Sequence, residues 1–336
     1  MREFLKRLLE TDGASGNEER VRALLEEKLN GRFEYTTDRI GNLYAHSGGF
    51  YPNDIKLMIT AHMDEVALMI THITKEGYLK FQPIGGMDER ILPGKAVRIG
   101  EKGVSGIIGA LAIHLQTKAQ RDKITEMQDL FIDIGAKDEA QALEHVSVGD
   151  IAYFTSPAEE VGDLIKSKSL DDRVGCMVLM DLLERLTEEN FTAVFTTREE
   201  IGCFGAMAAA SAVKPKYAIV LEGTTASDIG ETDEADEVCA VGKGPVLSFM
   251  DNGAIYDRKF LKLACSIAER KGIPYQLKRA VAGGNEAGRI QKIGEGCHVL
   301  AISVPCRYIH GPVSVASQKD IEAMKQLAAA IIEELR

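Results

Sequence analysis

The sequence predicts an α/β protein interrupted by a smaller all-β insertion, and three observations predict it. Apolar runs at Ile55–Val66, Thr192–Thr197, Tyr217–Glu222 and Cys297–Pro305 have the length and composition of buried strands, and they alternate with helical patterns. Between about residues 67 and 160 that alternation stops, and short runs separated by glycine turns read as a small β-barrel or sandwich. The carboxyl ends of the apolar strands then collect polar residues, on the edge where open α/β sheets bind ligands.

Length and charge bound the rest. A chain of 336 residues fits two domains, or one domain carrying a large insertion. Its 40 basic and 51 acidic residues give a formal net charge of −11, which argues against nucleic acid and anionic membranes as partners. Cys176, Cys203, Cys239, Cys265, Cys297 and Cys306 are scattered without a C-x-x-C pair, as expected of reduced thiols in a reducing compartment. The start has no apolar signal region, and no run is long enough to span a bilayer. A cytoplasmic location is expected.

Taken in order, residues 3–10 read as a short helix with Phe4, Leu5, Leu8 and Leu9 on one face. Ser15-x-x-Glu18 reads as a capping box for a second helix with Val21, Leu24, Leu25 and Leu29 inward and Gly31 as its stop. Strands follow near Phe33–Thr36 and Leu43–His46, then the buried run Ile55–Val66. In the insertion, runs at Leu68–Ile73, Tyr78–Phe81, Ala96–Ile99, Gly106–Ile108, Leu130–Ile134 and Ile151–Phe154 are interrupted by one short helix near Asp138–Glu144. The α/β pattern returns at Lys166. A helix follows Ser169, a small-residue helix runs to Ala212, and another spans Asp257–Lys271. A strand near Tyr275–Leu277 precedes the glycine loop Gly283–Gly288. Cys297–Pro305 is the last expected strand, and a final helix starts at Ser317.

Four strand ends carry residues able to bind a metal: His62 with Asp64, Glu199 with Glu200, Glu222, and His310. Asp171 and Asp172 enter a helix N-terminus nearby. Each alone also reads as a helix cap, a turn residue or a surface charge. Independent caps would not gather on one sheet edge. His62-x-Asp64 puts both side chains on one strand face, a ligand histidine beside a carboxylate that tunes it. Glu199 and Glu200 point to opposite sides of an extended backbone, so one can bind metal while the other handles protons. Two histidines and three carboxylates suit a pair of ions such as Zn²⁺, Co²⁺ or Mn²⁺. Ions about 3.5–4 Å apart need a bridging carboxylate.

Ala61-His-Met-Asp-Glu-Val66, Ile84-Gly-Gly86, Asp129-Leu-Phe-Ile-Asp-Ile-Gly-Ala136, Leu170-Asp-Asp-Arg-Val-Gly175, Thr197-Arg-Glu-Glu-Ile-Gly202, Lys243-Gly-Pro245 and Arg307-Tyr-Ile-His310 together resemble the M42 family of metallo-aminopeptidases, in the family's order over essentially the whole chain. The resemblance implies a three-layer α/β/α zinc-peptidase-like catalytic domain (1–66 and 161–336) and an inserted β-barrel dimerisation domain (67–160). It also implies a homo-oligomer built from dimers, often a tetrahedral dodecamer, acting on short peptides. By motif, His62, Asp171, Glu200, Glu222 and His310 resemble metal ligands, with Asp171 bridging. Glu199 resembles the general base, and Asp64 the carboxylate holding His62. A cis peptide bond between Asp171 and Asp172 is implied as well. Two departures stand out: Glu222 lies where many relatives have Asp, and Gly284-Asn-Glu-Ala287 lies where they often read Gly-Thr-Asp-Ala.

The expected function is therefore a dinuclear-metal aminopeptidase that removes N-terminal residues through an activated water and a glutamate base. A metal-dependent deacylase is the nearest rival. A glycosidase, the label some members of the family carry, needs carboxyls flanking the bond at about 5–9.5 Å, for which adjacent residues on opposite strand faces are poorly placed. A non-enzymatic assembly protein does not account for a complete ligand set. His114, in the insertion, reads as a surface histidine.

Overall fold

The computed structural model describes residues 1–47, 56–230, 232–233 and 237–335. The chain opens with α1 (Glu3–Glu10), α2 (Glu19–Leu29), β1 (Tyr35–Thr37), β2 (Leu43–His46) and β3 (Leu57–His62). The expected start of β3 at Ile55 lies outside the described residues. Six strands follow: β4 (Ala67–Ile73), β5 (Leu79–Ile84), β6 (Ala96–Ile99), β7 (Val104–Gly109), β8 (Phe131–Asp133) and β9 (Ile151–Phe154). Two short helices, α3 (Lys118–Arg121) and α4 (Glu139–Leu143), lie on either side of β8. The rest comprises β10 (Glu159–Val161), β11 (Leu164–Ser167), α5 (Leu170–Arg185), β12 (Thr192–Thr196), α6 (Phe204–Val213), β13 (Tyr217–Thr225), β14 (Val246–Leu247), α7 (Arg258–Lys271), β15 (Gln276–Leu277), α8 (Ala287–Ile290), β16 (His298–Arg307), β17 (Ser314–Ser317) and α9 (Gln318–Glu334).

The main sheet has 11 strands, with the path β1-β2-β12-β3-β13-β16-β17-β11-β10 and the pair β14–β15 joined through β16. Its centre, β12, β3, β13 and β16, is parallel. Such strands are buried on both faces, which is why they read as continuous apolar runs. Leu57, Ile59 and Ala61 of β3 pack with α1, α2, α5, α7 and α9, whereas Met58 packs with the alanines of α6 and with Ala287 and Ile290 of α8. The fold is thus a three-layer α/β/α sandwich. The strands β4 to β9 close into a separate barrel in the order β4-β5-β8-β7-β6-β9, which leaves no open edge. The sheet resumes with β10 at Glu159, so its first two residues precede the boundary expected at 160/161.

Four expectations need correction. The capping box at Ser15-x-x-Glu18 does not form, because both side chains serve distant partners: Ser15 donates to Asp64, and Glu18 accepts from the backbone N–H groups of Gly16 and Arg198. The insertion holds a second helix, α3, started by a capping box at Thr117 and Gln120. Glu222 lies inside β13, because pairing with β16 carries that strand on to Thr225. The run Cys297–Pro305 is not the last strand: β17 pairs antiparallel with β16, four residues being too short a run to show alternation.

A buried ionic cluster ties the barrel to the sandwich. Lys168 Nζ lies 2.5 and 2.7 Å from the Glu65 carboxylate oxygens and 3.1 Å from Asp12, while Arg98 of β6 reaches Asp12 at 2.6 Å. Arg173 of α5 donates to the carbonyls of Leu8, Thr11 and Gly13 and stands 3.6 Å from Glu65. Removing Glu65 leaves the buried Lys168 with Asp12 and the buried Arg173 with backbone carbonyls alone. Glu65→Ala should cost about 3–5 kcal/mol in denaturant unfolding, and a loss below about 1 kcal/mol would mean water screens the cluster.

Candidate metal centre

Parallel pairing sets Thr196 of β12 beside His62, the last residue of β3, so the turn after β12 delivers Glu199 and Glu200 to that strand end. Glu222 projects from β13 next door. β16 runs through Arg307 into His310, and Tyr308 and His310 both adopt positive φ, which turns the chain back over the edge. At the start of α5, Asp171 and Asp172 have non-helical torsions and the peptide between them is cis. The Asp171 carboxylate lies against β13, where Gly223 donates its N–H at 3.1 Å. A side chain at Gly223 would begin 2.7 Å from Asp171 Oδ1, so that close approach requires a glycine.

The side chains converge. His62 Nε2 lies 3.4 Å from Asp171 Oδ1 and 3.1 Å from Glu222 Oε1. His310 Nε2 lies 3.4 Å from Asp171 Oδ2 and 3.4 Å from Glu200 Oε2. Asp171 therefore faces one histidine with each oxygen, and a glutamate stands beside each histidine. Asp64 holds the frame from behind: its carboxylate accepts the N–H groups of Glu199 and Glu200 at 3.0 and 3.1 Å and the Ser15 hydroxyl at 2.5 Å. The His62 Nδ1 atom is 3.1 Å from the Asp64 carbonyl and 3.3 Å from its carboxylate. Both Asp64 oxygens are acceptors, so Nδ1 carries a proton and Nε2 turns toward the cluster; burial lowers the ring's pKa, but Glu222, Asp171 and Asp64 hold it well above its ordinary value. Glu199 turns elsewhere, its Oε1 accepting the Cys203 thiol at 3.1 Å.

So many acids in one place are costly without cations. Burial pushes Glu199 up to about 7 and Glu200 up to about 8, with Asp171 adding to both. Burial also raises Asp172 and Glu222. Burial alone would raise Asp171, but an imidazole on each oxygen holds it well below its ordinary value. Burial raises Asp64 too, and His62, Ser15 and the Glu199 N–H outweigh it. The donor atoms fit divalent ions. His62 Nε2 and Glu222 Oε2 are buried without a hydrogen-bond partner, as ligand atoms aimed at a cation would be. Ligand atoms of His62, Asp171 and Glu200 lie within 4.8 Å of one another, as do those of His62, Asp172 and Glu222. In the second set Asp172 is already engaged, by the backbone N–H groups of Gly175 at 3.0 Å and His62 at 3.2 Å, so Asp171 is the freer ligand.

His62, Asp64, Asp171, Asp172, Glu199, Glu200, Glu222 and His310 lie together at this edge. His114 is exposed on the barrel, in the turn Ile113–Leu115. Sequence reasoning missed Ser15 and Cys203; their partners lie 49 and 4 residues away, and neither spacing is a recognised motif. It also gave Glu286 no place in the core. Glu286 is fully buried, with the Thr196 and Thr60 hydroxyls beside its carboxylate. Burial raises its pKa, so the folded state binds a proton that the unfolded chain releases. Its contribution to stability therefore falls as pH rises above the ordinary glutamate value. Glu286→Gln should raise the melting temperature more at pH 8 than at pH 5, and equal shifts at both would contradict the assignment.

A three-layer sandwich with histidines and carboxylates able to hold a metal at the carboxyl edge is the arrangement of a metal-dependent hydrolase. Comparison with known proteins gives the family. The family model of M42 glutamyl aminopeptidase matches residues 41–327. The chain is 37% identical to a putative aminopeptidase of Acetivibrio thermocellus, over 98% of each chain. It superposes on the TET aminopeptidase of Thaumarchaeota archaeon SCGC AB-539-E09 with a TM-score of 0.95 at 33% identity, covering 99% of this chain and 96% of that one. Against the TET1 peptidase of Pyrococcus horikoshii the TM-score is 0.86 at 34% identity, over 98% of each; that peptidase can assemble into a tetrahedron or a large octahedral shell. The chain belongs to the M42 family and is an aminopeptidase.

Proposed function

We propose that the enzyme uses two divalent ions per chain to release the N-terminal residue of short peptides. His62, Glu222 and Asp171 would hold one ion, and His310, Glu200 and Asp171 the second. The observation that carries this reading is the single aspartate placed between two histidines. When bound, the ions supply Lewis acidity, polarising the scissile carbonyl and making water acidic enough to attack near neutral pH. Glu199 takes the proton of the attacking water and returns it to the leaving amine. Asp64 fixes the His62 ring and, through the two N–H groups it accepts, the directions of both glutamates. A bound ion would take the free α-amine of the substrate as a ligand, and so favour an unblocked N-terminus.

Residues 1–66 and 161–336 form the catalytic part on this reading, and 67–160 the dimerisation part of a homo-oligomer. The assembly of the Pyrococcus horikoshii peptidase supports it. Aminoacyl-anilides assayed with Zn²⁺, Co²⁺ or Mn²⁺ and after chelation test the activity. Hydrolysis of free aminoacyl substrates that chelation abolishes is the expected result. Preference for N-acetylated amides would instead indicate a deacylase.

A further inference from the structure

We propose that Cys203 is a positioning residue for Glu199, its thiol fixing the carboxylate that moves the proton. The inference rests on the assignment of Glu199 as the base. Among the described residues, the Cys203 thiol is the one hydrogen-bond donor on that carboxylate, at 3.1 Å from Oε1. The contact is built into the backbone. Both Gly202 and Cys203 donate their N–H groups to the Glu199 carbonyl at 2.9 Å, closing a tight turn from one residue to the other. Cys203 sits there at φ 60°, a left-handed conformation costly for any side chain but glycine, and it is 8% exposed. The chain thus accepts strain that directs a side chain inward at the base.

Chemistry favours a thiol in this place. Sulfur reaches about half an ångström further than oxygen, and S–H is a weak, neutral donor. It can hold one carboxylate oxygen without competing strongly with a proton for it. The other oxygen stays free to meet the attacking water. Burial keeps the thiol protonated and so a donor across the working pH range.

The test is a set of variants, each measured for kcat, KM, metal content and melting temperature. Cys203→Ala should lower kcat about five- to tenfold while leaving KM and two metals per chain unchanged. Cys203→Ser, which keeps a donor, should recover most of that loss. On the Glu199→Gln background, Cys203→Ala should cost nothing further, because the group it positions is gone. A kcat for Cys203→Ala equal to that of the parent enzyme, or a serine variant as slow as the alanine one, would overturn the inference and leave the base assignment standing. Near-normal turnover by Glu199→Gln alone would overturn the base assignment, and the role of Cys203 with it.

Discussion

Glu199→Gln should bind two metals as the parent does and lose at least about 10²-fold in kcat, the usual worth of a positioned general base. The amide keeps the volume and one acceptor oxygen but cannot take a proton at any working pH. Its backbone is unaffected, because Asp64 grips Glu199 by the N–H group. Metal content should hold, since the Glu199 carboxylate is engaged by Cys203 whereas Glu200 lies beside His310. Mass-spectrometric metal analysis and steady-state kinetics on one aminoacyl-anilide decide the case. A variant with ordinary turnover would remove Glu199 from the mechanism, and one stripped of metal would make it a ligand.

The second large effect is at Asp171. Asp171→Ala should lose both ions and reduce turnover by about 10³-fold or more, since one carboxylate serves both histidines. His310→Ala should behave differently. It leaves His62, Glu222 and Asp171 in place and should therefore retain one ion. Titrating metal into each apo variant by calorimetry gives the stoichiometry directly. Equal loss in both variants would mean that the two ions bind only as a pair, and full occupancy of Asp171→Ala would rule out bridging.

How much of this was legible beforehand depends on distance along the chain. The parallel strands announced themselves, because burial on both faces writes a continuous apolar run whatever the neighbours are. Their carboxyl ends gave the ligands for the same reason. The insertion was legible from its turns, although the closure of its strands into a barrel is a property of long-range pairing that no local pattern carries. Ser15 and Glu18 misled, since a serine three residues before a glutamate suits a helix cap as well as it suits a catalytic frame. Their actual partners, Asp64 and Arg198, are set by how α2 packs onto the sheet edge. Cys203 was visible only as a small apolar residue, and its left-handed backbone appears only once the turn is built.

The two histidines stand 310 − 62 = 248 positions apart, and the later one follows β16, which pairs with β13 across its full length. Domains fold as units. The edge that gathers these side chains is therefore completed only when β16 enters the sheet beside β13, late in synthesis, and a copy ending before His298 lacks both His310 and the strand that places it.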